Sequence, residues 1–92
     1  MAEKSDNVVF IGKKPTMSYV LAVVTQFSEG QSEIHLKARG KAISKAVDVA
    51  EIVKNKFVQD ATIKNVKIGT EEIETESKEK INVSIIELTL SK

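Results

Sequence analysis

The sequence predicts a single-domain α/β protein, a two-layer sandwich with the element order β-α-β-α-β-β. Three observations carry this. Apolar residues at 8–11 and alternating ones at 34, 36 and 38 have strand character. Two longer stretches, beginning near Pro15 and near Lys41, repeat apolar residues at helical spacing. The last third returns to strand patterning on both sides of a polar segment. Strands that alternate with helices and then run on as strands pack most simply as helices covering one sheet.

The elements follow in order. Met1–Asn7 is polar and reads as a flexible tail, which leaves 8–92 as the domain. Val8-Val9-Phe10-Ile11 is a continuous apolar run, as expected of a strand covered on both faces. It ends at Gly12, and Pro15 suits the first turn of a helix. Met17, Val20, Leu21, Val24 and Phe27 then recur at helical spacing until Gly30 closes the helix. The second strand covers roughly 32–38, with Ile34 and Leu36 on one face and Glu33, His35 and Lys37 on the other. A second helix runs from Lys41 or Ala42 to Phe57. Its stripe of Ile43, Ala46, Val47, Ala50 and Val53, flanked by Ala42, Val49 and Ile52, is wider than one sheet face needs, which points to a partner subunit. The third strand spans 61–69, with Ile63 out of register with Val66 and Ile68. The fourth spans about 81–90, and its apolar parity shifts between Ile85 and Ile86, as a bulge or two-sided cover would produce. Thr70–Lys80 between them forms a polar hairpin arm with its tip near 76–79.

Composition narrows the function classes. A chain of 92 residues buries only about 60–65% of its extended surface, so a homodimer interface would help it. Without cysteine there is no disulfide, thiolate metal site or thiol nucleophile. No apolar run approaches the ~18 residues of a membrane span and no signal peptide is visible, so the expectation is a soluble cytoplasmic protein with no membrane partner. Net charge is only +1, but residues 1–57 hold nine Lys/Arg and six Asp/Glu, and residues 58–92 hold five and seven. The basic excess belongs to the first part of the chain, which implies a local basic face.

That excess is concentrated at two turns. Lys37, Arg39, Lys41 and Lys45 surround Gly40 with no acid until Asp48, and Gly12-Lys13-Lys14-Pro15 repeats the theme before the first helix. Helix starts carry partial positive charge and normally recruit Asp or Glu. Cations there imply an anion that completes the site, with free backbone N–H groups helping to hold it. If strands 1 and 2 are parallel, the right-handed crossover places both turns on one edge of the sheet, where ligands of such sheets bind. A phosphate-binding P-loop does not fit: the position five before Gly12 is Asn7, and Lys14-Pro15 stands where Ser or Thr is required.

The strings Val8-Val-Phe-Ile-Gly-Lys-Lys-Pro15, Tyr19-Val-Leu21, Ser32-Glu-Ile34, Lys37-Ala-Arg-Gly-Lys-Ala-Ile-Ser-Lys-Ala-Val-Asp48 and Glu51-Ile-Val-Lys-Asn-Lys-Phe57 resemble the Alba family of small archaeal chromatin proteins, over nearly the full length. The resemblance implies a fold similar to the C-terminal domain of a bacterial translation initiation factor. It implies a non-catalytic, chromosome-associated homodimer that binds double-stranded DNA and often RNA and condenses or coats DNA. By position, Lys13 and Lys14 match the family's central nucleic-acid lysines, one of which can be acetylated; an acetyltransferase and a deacetylase are then implied partners. Lys37, Arg39 and Lys41, with Lys45 in the same cluster, match phosphate contacts. Phe57 matches an aromatic at which neighbouring dimers meet on DNA. The arm departs from the family, where it is basic or polar: residues 70–80 hold five glutamates and two lysines, so weaker DNA binding is expected. An RNA-binding protein or RNA chaperone in ribonucleoprotein complexes is the alternative.

The remaining residues read more plainly. His35, the single histidine, has no cysteine or second histidine to share a metal and reads as a bystander or a nucleic-acid contact. The glutamates of the arm lack the spacing and glycine turn of a calcium loop and read as a solvated face. No metal site, cofactor or nucleophile–base pair is predicted, so an enzyme is not expected. Phe57 is open between core and interface, and Tyr19 reads as structural.

Overall fold

The computed structural model describes residues 7–92; apart from Asn7, the tail expected at Met1–Asn7 lies outside the described residues. The elements are β1 (Val8–Phe10), α1 (Thr16–Ser28), β2 (Glu33–Arg39), α2 (Ile43–Ile52), β3 (Thr62–Glu74) and β4 (Lys80–Ser91). A 3₁₀ turn, Gly40–Ala42, leads into α2, and a π-helical turn, Val53–Phe57, leaves it. The four strands form one mixed sheet in the order β1-β2-β4-β3, with β1 parallel to β2 and the other pairs antiparallel. This is the β-α-β-α-β-β two-layer sandwich expected.

Both helices cover one face of the sheet. Ile34, Leu36, Leu90, Val20, Val23, Val49 and Val53 are fully buried between the layers, joined by Phe27, Ala46, Ala50, Ile86 and Leu88. Alternation in β2 puts Ile34, Leu36 and Ala38 into this core and Glu33, His35, Lys37 and Arg39 on the open face. Helix α1 buries Tyr19, Val20, Val23 and Phe27, whereas Met17 and Leu21 from the apolar spacing are exposed. Gly30 ends α1 at φ 105° and Gly40 turns the chain into α2 at φ 57°; both angles are left-handed and suit glycine.

Two strand readings need correction. The run at 8–11 is not covered on both faces: Val9 is buried, but Phe10 is 72% exposed. The physical reason is position, since β1 is a three-residue edge strand and both helices lie on the opposite face from Phe10. The parity shift in β4 is not a bulge. The irregularity lies in β3 between Ile63 and Asn65, and β4 pairs without a shift; the two-sided cover holds in part, with Ile86 in the core and Ile85 half-buried and Thr89 buried on the open face. Lys64, the extra residue of that bulge, reaches Glu33 at 2.7 Å and holds its carboxyl below the ordinary carboxylate range, through the hydrogen bond and the adjacent charge.

Strands β3 and β4 outrun the sandwich and form the arm, closed by a turn in which Thr75 N–H donates to Glu79 O at 2.8 Å. The radius of gyration is 14.0 Å, against about 12 Å for a compact domain of this length, and the arm accounts for the excess. The arm is not polar throughout. Ile73 pairs with Ile81 on the open-face side, followed by Val83, while Glu72 and Glu74 pair with Asn82 and Lys80 on the other.

Candidate nucleic-acid interface

The cations sit at the two turns that leave the parallel strands. The first, Gly12–Pro15, joins β1 to α1; the second, Gly40–Ala42, joins β2 to α2. Because β1 and β2 run side by side in the same direction, both turns emerge at one edge of the sheet. The Ile11 N–H donates to the Lys37 carbonyl at 2.8 Å and extends the pairing to the brink of the first turn.

Two side chains then fix that turn. From the buried side, the Tyr19 hydroxyl accepts hydrogen bonds from the Gly12 N–H at 2.9 Å and the Lys14 N–H at 3.0 Å. From α2, the Lys45 ammonium donates to the Gly12 carbonyl at 3.1 Å and the Lys14 carbonyl at 2.8 Å. An ammonium has three N–H groups, so Lys45 retains one for any further partner. The turn between them holds its backbone still while the Lys13 and Lys14 side chains stand in solvent. Arg39 and Lys41 are also exposed, and Lys37 and Lys45 are half-buried. All six sequence-predicted cations thus lie around one edge. The first turns of α1, of the 3₁₀ segment and of α2 contain no acidic residue.

One acid does reach this edge. Arg39 Nη1 lies 2.6 Å from Glu71 Oε1 at the root of the arm, with both side chains about half exposed. Nothing in the sequence separates Glu71 from the other glutamates of the arm; the antiparallel register that sets Arg39 opposite Ile85, and Glu71 opposite Val83 one row on, selects it. The hydroxyl role of Tyr19 was equally invisible, since only the docking of α1 brings it to the turn.

Phe57 is 47% exposed at the end of the π-helical turn, beside Lys54 and Lys56, so it is a surface residue and not part of the core. His35 is held by its neighbours on the open face: Nδ1 is 3.0 Å from Thr89 Oγ1 and 3.3 Å from Glu87 Oε2, and Nε2 is 3.6 Å from Glu33 Oε1. Among the described residues, no cluster of His, Asp and Glu has the geometry to hold a metal ion, and no helix is long and apolar enough to cross a membrane.

A family model, Alba, matches residues 7–70. The chain belongs to the Alba family. Its relatives include the DNA/RNA-binding protein Alba of Methanocella arvoryzae, 56% identical over 87 residues that cover 95% of this chain and 91% of that one. The DNA/RNA-binding protein Alba of Thermoplasma acidophilum is 56% identical over 92 residues, with both chains covered completely. Among solved structures, Alba from Thermoplasma volcanium superposes with a TM-score of 0.90 at 56% identity, covering 94% of this chain and all of that one. ALBA1 from Trypanosoma brucei shares the fold at a TM-score of 0.78 and 23% identity, over 98% of this chain and 72% of that one. The Alba fold therefore accounts for nearly all of the chain.

Proposed function

We propose that this Alba-family chain is a non-catalytic nucleic-acid-binding protein that engages double-stranded DNA through its phosphates. The carrying observation is the Lys45 cross-tie, which fixes two cationic turns as one edge with no acid at the helix starts. Lys13, Lys14, Lys37, Arg39 and Lys41 supply charge to the phosphates, with Lys45 chiefly placing the first turn. The names of the relatives, DNA/RNA-binding protein Alba, agree with this class of ligand. Phosphate neutralisation releases counterions and is largely indifferent to base sequence.

The protein acts as a homodimer. Val47 on α2 and Val66 and Ile68 on β3 are exposed apolar side chains on the helix-covered side of the sheet, and a second copy is the partner that covers them. Phe57 lies at a separate surface, where one dimer meets the next along DNA. Binding is weaker than the family norm because the arm brings five glutamates near the backbone and one of them occupies Arg39. The same observation favours a second reading, in which the principal partner is RNA within ribonucleoprotein complexes and not a coated chromosome. Acetylation of the exposed Lys13 or Lys14 would delete a phosphate contact and implies an acetyltransferase and a deacetylase as partners. Residence in the cytoplasm on the chromosome follows from the DNA reading.

The test is a salt titration of affinity on random-sequence duplex DNA, with duplex and folded RNA in parallel at one fixed salt concentration. Lys14→Ala should weaken binding to all sequences alike and lower the slope of log K against log salt by about 0.9 per protomer bound to the duplex. Unchanged affinity and slope in a folded variant would remove Lys14 from the interface. Preference for folded RNA over both duplexes would make RNA the main partner.

A further inference from the structure

The open face of the sheet carries an aromatic that the two basic turns do not use. Phe10 is 72% exposed, although the strand that bears it is otherwise apolar and its neighbour Val9 is buried. Register places Phe10 beside Lys37 of β2, then Glu87 of β4 and Lys67 of β3 in one row across the open face. The next row is Arg39, Ile85 and Gly69. With no side chain at Gly69, the floor stays low between Ile85 and the arm. The result is a half-open groove of about 1150 Å³ lined by these residues, by Lys13, Lys41 and Lys45 at the turns, and by Ile68 at its rim. Its floor is apolar and its walls are cationic: six Lys/Arg line it against the two carboxylates of Glu71 and Glu87.

We propose that this groove binds single-stranded nucleic acid, with an unpaired base stacked on Phe10 and its phosphates held by Lys37, Lys67 and Lys13. Charge complementarity selects a polyanion, and an exposed ring between cations selects one with unpaired aromatic bases. A sheet that presents an aromatic to solvent beside lysines is the general design of a single-strand platform, because every base has a π-face and stacking tolerates any sequence. A duplex can share these cations but cannot stack on Phe10, since its bases are already stacked on one another. The groove shares Lys13, Lys37, Arg39 and Lys41 with the duplex-binding edge and adds Phe10 and Lys67, so Phe10 reports the single strand and Lys14, which does not line the groove, reports the duplex.

The experiment measures binding of an unstructured oligouridylate, an oligothymidylate and a random duplex to the full chain by fluorescence anisotropy, with Phe10→Ala, Phe10→Leu, Phe10→Tyr and Lys14→Ala variants. Phe10 is exposed, so the fold should survive each change, and far-UV circular dichroism verifies it. Phe10→Ala and Phe10→Leu should weaken single-strand binding by about 5- to 150-fold, the range for loss of one stacked base, while Phe10→Tyr retains it. Duplex affinity should stay unchanged in all three and fall in Lys14→Ala. Equal losses on both oligomers would assign the site to unpaired bases on either sugar, and a loss confined to oligouridylate would assign it to RNA. The proposal is overturned if the wild-type chain ignores single strands or if Phe10→Ala leaves their affinity intact. It is equally overturned if Phe10→Ala weakens the duplex as much, or if it changes only the oligomeric mass, which would make this face a contact between copies. Failure of the duplex reading alone would show in Lys14→Ala without touching the Phe10 results.

Discussion

Arg39 Nη1 meets Glu71 at 2.6 Å in the free protein, so a phosphate must compete with a carboxylate for that guanidinium or use its remaining N–H groups. Exposed pairs of this kind contribute about 0.2–1 kcal/mol, because water screens them and two side chains must be held still. Glu71→Gln should therefore cost little stability and raise duplex affinity by about 1.5- to 5-fold, with a salt slope steeper by up to about 0.9 per bound protomer as Arg39 engages phosphate without a competing carboxylate. Unchanged affinity and slope in the same titration would show that Glu71 does not compete with phosphate for Arg39. Tyr19 works in the opposite sense. Its hydroxyl accepts two backbone N–H groups in a partly buried turn, and Tyr19→Phe leaves both without that partner. The expected loss is about 1–3 kcal/mol. For a domain of this size each kcal/mol shifts Tm by about 4–8 °C, which thermal unfolding reads directly. A Tm within error of wild type would show that water replaces the hydroxyl at no cost.

Strands, helices and basic turns were legible because their signals are local: period-2 and helical spacing mark the elements, and Gly12 and Gly40 with their lysines mark the turns. What could not be read depends on register between distant segments. Glu71 lies 32 residues from Arg39 and Lys45 lies 31 from Lys14; pairing and helix docking alone decide that they meet. The misread β1 has the same origin, since four apolar residues in a row do not say whether a strand is central or at an edge. Lys45 gives this scale its prediction. If it chiefly positions the first turn, Lys45→Met should lower affinity but keep most of the salt slope, whereas a phosphate contact would remove about 0.9 per bound protomer from it. The Lys64–Glu33 pair at the β3 bulge makes a pH prediction. Its carboxyl titrates lower in the folded state than unfolded, so the stabilisation is present above the unfolded value of about 4.3 and lost as pH falls through the lower folded value. Lys64→Met should flatten that acid branch of the stability curve, and an unaltered branch would show that the pair makes no contribution. Phe57, half exposed on its π-helical turn, should tolerate Ala with far less than the ~3–5 kcal/mol of a core phenylalanine while losing cooperativity on long DNA.

At the scale of the molecule, one protomer of 10.1 kDa leaves Val47, Val66 and Ile68 in water beside a core that stops short of them. Ile68 is 76% exposed, more than any other large apolar side chain of the described residues, and the half-buried Ile43 sits next to it. A two-fold contact over this patch, as proposed, would extend the core across two copies and set two basic edges on a common scaffold. Ile68→Asp puts a charge at the centre of that contact while altering no packing within the protomer, so it should yield a folded monomer by sedimentation equilibrium. Wild type should sediment at twice 10.1 kDa, with a melting temperature that rises with protein concentration, as binding between copies requires. The consequence for nucleic acid follows from linkage of the two edges. Once one edge is bound, the other is held near the same duplex at high effective concentration, so the dimer gains affinity without any new kind of contact. The monomeric variant keeps its own lysines and Tyr19 clamp, yet has half the phosphate contacts per complex. Its salt slope should therefore fall to about half the wild-type value, because the slope counts phosphates neutralised together. A monomeric Ile68→Asp that retains the full slope would confine the duplex site to one protomer, and a variant that remains dimeric would move the two-fold contact away from this patch.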